Sequence, residues 1–499
     1  MTERTRSFWG WGWADRFPDR DARASIGQMA GQLLGFGEAV LRDPPEIDRV
    51  DVPPPRVGIP EALASFCTSS REARIEHTYG RSFADQVRGF EGDFRAAPDI
   101  VANPRSEEDI EAVFAWCTRE RVALVPYGGG TTVAGGVEAA PTERQRGAVS
   151  LDLRAFDRVL EVDRTSLAAR VQAGATGPRL ESQLALHDLT LRHFPQSFEF
   201  STVGGWIATR AGGHFATLYT HIDDKVEAVR MLTPAGVFAT RRLPGSGAGP
   251  QPERLVLGSE GTLGVITEAW LRVHPRPKHR ASASVHFETF EQGVEAARAL
   301  AQSGLHPSNC RLLDATEATM HNVVTDGHHV LLVAFESRDH SLEPWIERAL
   351  ALCTQAACTH GPVIREGDEG GRDRDGGSWR DAFVNAPYMQ TTLLSLGYVV
   401  DTFETACTWS AFPALHRAIT EQVTAAMQRV PEIAGRRLHL TALSGGITNR
   451  NYRVDADGLR ERYVIRLGGN DTHLLGISRE VEHAATVSAA GVGVGAEVV

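Results

Sequence analysis

Three glycine-rich segments carry residue types suited to holding a phosphorylated or flat ligand. The first is Pro126-Tyr127-Gly128-Gly129-Gly130-Thr131-Thr132-Val133-Ala134-Gly135-Gly136. Three glycines after an apolar run free successive backbone N–H groups to converge on an anion, and the threonine hydroxyls add donors. That chemistry suits a pyrophosphate. No Gly-Lys-Ser/Thr follows and no G-x-G-x-x-G spacing is present, so neither a Walker A loop nor the dinucleotide fingerprint fits. Taken alone, the segment is explained equally well by a tight turn. The second segment is Pro195-Gln196-Ser197-Phe198-Glu199-Phe200-Ser201-Thr202-Val203-Gly204-Gly205-Trp206, continuing to Thr209-Arg210-Ala211-Gly212-Gly213. Small hydroxylated residues beside paired glycines permit close backbone approach to a flat ligand; a plain loop and helix start is the alternative. The third, Gly258-Ser259-Glu260-Gly261-Thr262-Leu263-Gly264-Val265-Ile266-Thr267, has glycines three apart and then a β-branched strand.

Rigid elements must position these segments. Apolar periodicity predicts a helix over Ser106–Glu120 with Ile110, Val113, Phe114 and Cys117 on one face, then a buried strand at Val122–Val125 leading into the first loop. Further strands are expected at Ala148–Leu153, Val159–Val162, Ala168–Ala173, Ala228–Thr233 and Leu263–Val273, with a helix at Gly177–His187. After His274-Pro275-Arg276-Pro277 the order becomes strand (Ala281–Phe287), helix (Phe290–Ser303), strands (Cys310–Leu313, His329–Glu336) and helix (Leu342–Thr359). Glu366–Ser378 reads as a charged, Gly-rich loop, and Pro413–Arg429 as a helix. The fold class is therefore α+β.

Composition bounds the function. The 499 residues suggest about three domains. The net charge of −11, from 63 acidic against 52 basic residues, argues against an electrostatic nucleic-acid binder. No run of about 18 apolar residues offers a membrane span, and Met1–Arg20 has no apolar core of a signal peptide. Six scattered cysteines without a C-x-x-C pair fit reduced thiols in the cytoplasm rather than a disulfide frame or a metal site. Glycine, at 49 residues, exceeds the usual share of about 7 %, and the excess is gathered in the loops above.

In this order the three loops resemble the FAD-binding PCMH-type domain of the vanillyl-alcohol-oxidase-type flavoproteins, with the nearest likeness to the alkyldihydroxyacetonephosphate synthases (alkylglycerone-phosphate synthases) and bacterial FAD-linked oxidases. The resemblance covers roughly residues 8–430 and includes Trp9-Gly10-Trp11-Gly12, His77-Thr78-Tyr79-Gly80-Arg81-Ser82 and Gly92-Asp93-Phe94. It implies noncovalent FAD. Pro126, Tyr127, Gly128, Gly129, Gly130, Thr131 and Thr132 would cradle its pyrophosphate. Pro195, Ser197, Glu199, Ser201, Thr209, Arg210, Ala211, Gly212, Glu260, Gly261, Thr262, Leu263, Gly264, Val265 and Ile266 would line its adenosine and flavin ends. The implied reaction, exchange of acyl for alkyl on dihydroxyacetone phosphate in ether-lipid synthesis, has no net redox; relatives oxidise hydroxy acids on the same frame. Arg311, in Cys310-Arg311-Leu312-Leu313-Asp314, matches a family arginine needed for activity, and its fork could hold a phosphate or carboxylate; an ion pair with Asp314 is the alternative. His77 and Tyr79 are further catalytic candidates, with simple packing as the alternative. His214 and His221 are candidate bases or flavin neighbours, against a structural role.

Two departures qualify the resemblance. In Ala386-Pro387-Tyr388-Met389-Gln390, Gln390 stands where the synthases carry an arginine, which favours a neutral or carboxylate-bearing substrate over a phosphorylated one. The synthases' aromatic strand with a catalytic tyrosine, and their run of histidines, have no counterpart in this sequence. Instead Leu443–Val454, Tyr463–Leu467 and Glu480 resemble the nucleotide-loop N-lobe of choline kinases and aminoglycoside phosphotransferases. The expected organisation is an N-terminal helical and irregular region (1–91), the FAD-binding PCMH-type domain (92–278), a C-terminally truncated cap domain with an antiparallel sheet (279–430) and a partial kinase-like lobe (431–499), joined near Val430-Pro431. The expected partners are a small-molecule or lipid substrate, with a homodimer left open. An inactive FAD-binding fusion and a small-molecule kinase are the competing functions.

Overall fold

The structure is a computed structural model. It describes residues 4–34, 40–243, 245–320, 323–324, 326–356, 358–360, 363–365, 374–398, 400 and 404–427, and three strands within 438–468. The fold is α+β throughout, in four sheets and a two-stranded ribbon.

The first sheet carries the strands Cys67–Thr68, Ile100–Ala102, Ala148–Asp152 and Ala123–Tyr127 in that spatial order. The last three run parallel, so the chain needs a crossover between Ile100–Ala102 and Ala123–Tyr127. Glu107–Glu120 supplies it. Ser106 and Asp109 close a capping box at its start, and Arg121 ends it in the left-handed region at φ 54. Ile110, Val113 and Cys117 are buried as expected. Trp116 joins them, while Phe114 stays only partly covered. The crossover delivers Ala123–Tyr127, whose end releases the chain into Gly128.

The second sheet is antiparallel, in the order Val159–Asp163, Ala168–Gln172, Val265–Arg272, Val226–Thr233, Gly236–Ala239. Helix Gly177–Ala185 and the short helix Val203–Thr209 cover one face through Leu180, Leu184, Val203, Trp206 and Ile207. The cap sheet pairs Asn309–Leu313, His329–Ser337 and His279–Phe287 antiparallel, with short strands Thr359–His360 and Ile364–Arg365 on the outer edge. Helices Phe290–Ala301 and Glu343–Thr354 bury Leu300 and Ile346 against Val285, Val333 and Phe335.

Two expectations differ from the structure. The helix expected over Leu342–Thr359 ends at Thr354, and Thr359–His360 pairs with Val285–His286 instead. The loop expected through Ser378 is helical from Arg374, and that helix runs to Leu394 with Pro387 inside it. We call it the cap helix. Gly and charge made its first turn read as loop; tertiary contacts from its second half override that preference.

In the C-terminal tail, Leu438–Leu443, Asn449–Ala456 and Tyr463–Gly468 form an antiparallel meander, as the strand–turn–strand pattern predicts. The Gly445-Gly446 turn and Glu480 lie outside the described residues. Among the described residues no helix is long and apolar enough to cross a membrane, and no His, Cys, Asp and Glu cluster could hold a metal ion.

Candidate functional site

The three glycine segments, far apart in sequence, meet at backbone distance. A Cβ on Gly129 would lie 2.0 Å from the Phe200 carbonyl oxygen, and one on Gly128 would lie 2.3 Å from Thr202 Oγ1. The first and second segments are thus in contact through glycine. The third closes on both. Gly261, at φ 82, faces the Pro126 ring, and a Cβ on Gly136 would meet Glu260 Oε2 at 3.2 Å. The Gly258 and Glu260 amides donate to the carbonyls of Ile207 and Ala208, at 3.1 and 3.0 Å. At Gly129 and Gly128 a Cβ would overlap its neighbour, and Gly261 has a positive φ, so these three positions require glycine.

Packing this close normally satisfies every amide. Here, among the described residues, no hydrogen bond uses the N–H groups of Gly129, Gly130 or Thr131. Gly129 and Gly130 are buried and Thr131 half-buried. The Ser259 hydroxyl, buried beside the third loop, is also without a partner. Three consecutive unused amides on a glycine loop form a ready nest for an anion, so the residues present fit the pyrophosphate of FAD.

Other candidates are committed elsewhere. The Ser201 hydroxyl donates to Ser197 O and accepts from the Trp206 indole at 2.7 Å. Thr209 donates to Gly205 O and Thr262 to Ser259 O. Pro195 O and Ser197 O receive the turn amides of Phe198, Phe200 and Ser201. Ala211 N–H closes back on Trp206 O. Val265 and Ile266 send their side chains into the two cores, whereas Thr262 and Leu263 are exposed. Arg210 caps its helix at φ 53 and pairs with Asp223 at 2.6 Å. With His221, Asp224 and Arg254 these residues line a cavity of about 480 Å³, and Gly212 faces the His221 ring.

His77 and Tyr79 stand behind the first loop. His77 is buried, its Nδ1 on Ala73 O at 2.7 Å and its Nε2 on Asp152 Oδ2 at 3.1 Å. Both ring nitrogens therefore face oxygen acceptors, and neither is free for a substrate. The ring lies 4.2 Å from that of Tyr127, the residue that starts the loop. Tyr79 is buried against Phe94 under the Arg88 guanidinium, and burial pushes its hydroxyl pKa up. Between them, Gly80 and Arg81 touch the loop's far end: Arg81 N–H donates to Thr132 O at 2.7 Å. The pair supports the loop from below.

Asp152 anchors that support. Burial raises its pKa, but the hydrogen bonds from His77 and Arg154 outweigh burial and hold it at about 2. Its folded value is thus depressed. The stability it contributes, about 2 kcal/mol, is present above the ordinary carboxylate pKa near ~3.9 and is lost as pH falls toward 2. Asp152→Asn is expected to lower the thermal midpoint near neutral pH and to flatten its fall between about pH 5 and 2. A midpoint–pH curve parallel to that of the unmodified protein would contradict this.

Arg311 lies on the edge strand Asn309–Leu313 of the cap sheet, its guanidinium 5.2 Å from the Phe383 ring of the cap helix. Burial lowers its pKa, opposed by Glu317 and Glu404. Burial likewise raises Glu317 to about 7. Asp314 accepts the amides of Thr316 and Glu317, capping the next helix. Phe383 is also the bridge to the FAD side: its carbonyl accepts from Gln196 at 3.0 Å, and its ring lies 5.4 Å from His214, which contacts Asn309. Thus the second glycine segment, His214 and Arg311 gather around one residue, the first at its carbonyl and the other two at its ring. Phe383 carries no motif, and nothing in its local sequence marks it. His193 was missed too, although it lies two residues before Pro195. It is fully buried, neither ring nitrogen is bonded among the described residues, and burial pushes its pKa down to about 3. Gln390 accepts from Gln86 and donates to Val400 O, so its amide fastens the cap helix.

Known proteins agree with this geometry. Residues 98–240 match the FAD binding domain family, and residues 276–443 match the C-terminal domain of FAD linked oxidases. The second match runs past the boundary expected at Val430-Pro431, and the kinase-like reading of the tail gains no support. The alkyldihydroxyacetonephosphate synthase of Dictyostelium discoideum is 37 % identical over 282 residues, 55 % of this chain and 46 % of that protein. The synthase of Caenorhabditis elegans is 31 % identical over 374 residues, 70 % of this chain and 62 % of that protein. The chain thus spans from under half to under two thirds of the length of these relatives. A solved alkyldihydroxyacetonephosphate synthase superposes with a TM-score of 0.74 at 23 % identity, over 98 % of each chain, which is a likeness of fold.

Proposed function

From a chain that carries an FAD binding domain followed by the C-terminal domain of FAD linked oxidases, we infer an FAD-dependent enzyme of the alkyldihydroxyacetonephosphate synthase type. The observation that carries this reading is the convergence of three glycine loops around the unused amides of Gly129, Gly130 and Thr131. Those amides would hold the FAD pyrophosphate, backed by the His77–Asp152–Arg154 network. Bound FAD supplies an electrophilic, two-electron-accepting ring. The segment Pro195–Ser201 would lie along it, and Arg311 would hold the anionic group of the substrate on the cap side. Half-buried beside Phe383, Arg311 keeps a fixed charge where water is thinned, which strengthens its hold on a phosphate or carboxylate.

One observation favours a second reading, an FAD-linked oxidase of a hydroxy acid. The side chain of Gln390 is spent on Gln86 and Val400, so this position adds no positive charge for a phosphate. Two measurements separate the readings. The purified protein is expected to show a flavin band that is released on denaturation; a colourless, folded protein would overturn both. Bleaching of the band by a 2-hydroxy acid without oxygen identifies the oxidase. Exchange of a labelled fatty alcohol into acyl-dihydroxyacetone phosphate identifies the synthase.

A further inference from the structure

Trp13 joins two parts of the site that the sequence keeps apart. Its indole N–H donates to Glu199 Oε1 at 2.5 Å, and its backbone N–H donates to the Tyr388 hydroxyl at 3.3 Å. Glu199 belongs to the second glycine segment and Tyr388 to the cap helix. The indole ring meets Phe200 edge-on at 5.1 Å. Among the described residues, this is the one hydrogen bond to the Glu199 carboxylate. The approach is enforced by Gly12, whose φ of +69 and lack of a Cβ let Tyr388 Oη come within 2.3 Å of where that Cβ would stand. On the next turn Arg16 lies 4.0 Å over the Tyr388 ring and bonds Asn385.

A carboxylate accepting from an indole N–H is a charge-assisted bond, stronger and more directional than a neutral one. It leaves the Ser197–Ser201 turn with one orientation. We propose that Trp13 is a positioning residue for the FAD site: it fixes Glu199, and with it the turn facing the flavin, and ties that turn to the cap helix through Tyr388. This rests on FAD binding at the glycine loops, and the two fail separately. If the unmodified protein binds no FAD, the site reading falls; if it binds FAD and Trp13 does not matter, only this inference falls.

The test is a double-mutant cycle on FAD affinity, titrating FAD into apoprotein and following flavin fluorescence. Trp13→Phe keeps the ring and removes the donor. It is expected to weaken FAD about tenfold, the effect of one charge-assisted hydrogen bond, as is Glu199→Ala. The double variant is expected to be no weaker than either single one, because each removes the same bond. Unchanged affinity in Trp13→Phe, or losses that add, would overturn the proposal. Should Trp13→Phe fail to fold, Glu199→Gln decides. Its amide oxygen still accepts the indole N–H, so it is expected to bind FAD within about twofold of the unmodified protein while Glu199→Ala does not. Equal affinities of these two variants would overturn the proposal.

Discussion

Gly129→Ala is expected to yield protein without flavin. The new Cβ would fall 2.0 Å from the Phe200 carbonyl oxygen and 2.8 Å from Ser201 Cα. Both are backbone atoms, so no rotamer relieves the clash and the first and second loops must part. The amides of Gly129, Gly130 and Thr131 then lose their common focus. Two weakened hydrogen bonds to a charged pyrophosphate correspond to about 100-fold in affinity or more. Flavin absorbance per protein should fall below about a tenth of its normal value, and calorimetry should show no saturable binding. Gly58→Ala is the matched control. Nothing lies within 4 Å of that Cβ and no positive φ is required, so it should retain the full flavin band. Normal FAD content in Gly129→Ala would remove the first loop from the cofactor site.

Arg311→Ala is the second large effect, and it should fall on the substrate rather than the cofactor. Removing a half-buried cation leaves the substrate anion without its partner, a loss of roughly 2–5 kcal/mol. In kcat/KM this is about 30-fold to several thousand-fold. FAD content should not change, since Arg311 is on the cap sheet beside Phe383 of the cap helix. Arg311→Lys should recover part of the loss, because it restores charge but not the fork. Full activity in Arg311→Ala would take the residue out of the site, and loss of FAD would mean that it acts on the loops instead.

The glycine loops were legible in the sequence because their cause is local. A run such as Gly128-Gly129-Gly130 after an apolar strand marks either close backbone approach or a tight turn, and the strand itself, expected to be buried, is a half-buried edge strand. The helix Glu107–Glu120 was legible for the same reason, its capping box and apolar face lying within one segment. Residues whose role depends on distant partners were not. Phe383 touches His214, Gln196 and Arg311, none of them near it in the chain. Val265 and Ile266, which the resemblance placed along the cofactor, have side chains turned into the two cores by strand alternation, a placement set by distant packing. Gln390 stood out as a missing charge, and only its contacts with Gln86 and Val400 reveal a fastener. His77 drew attention as a catalytic candidate, with packing as the alternative, and only its two oxygen partners show how its ring is held.

Residues 7–13 form an N-terminal strap, and two of its bonds are set late in synthesis. Trp11 N–H reaches Thr391 Oγ1 across 380 residues of chain, and Trp13 reaches Tyr388 across 375. At roughly 5–20 residues per second on a ribosome, the strap waits roughly 20 to 80 seconds for its partners to be made. Both sheets of the FAD-binding domain are complete in sequence well before then. These two bonds to the cap helix are therefore formed late on a growing chain, after Phe90 and Glu199, the partners of Trp9 and of the Trp13 indole, have been made. Until then the ring contacts of Trp9 with Phe90, and of Trp11 and Trp13 with Phe200, hold this segment on partners made earlier.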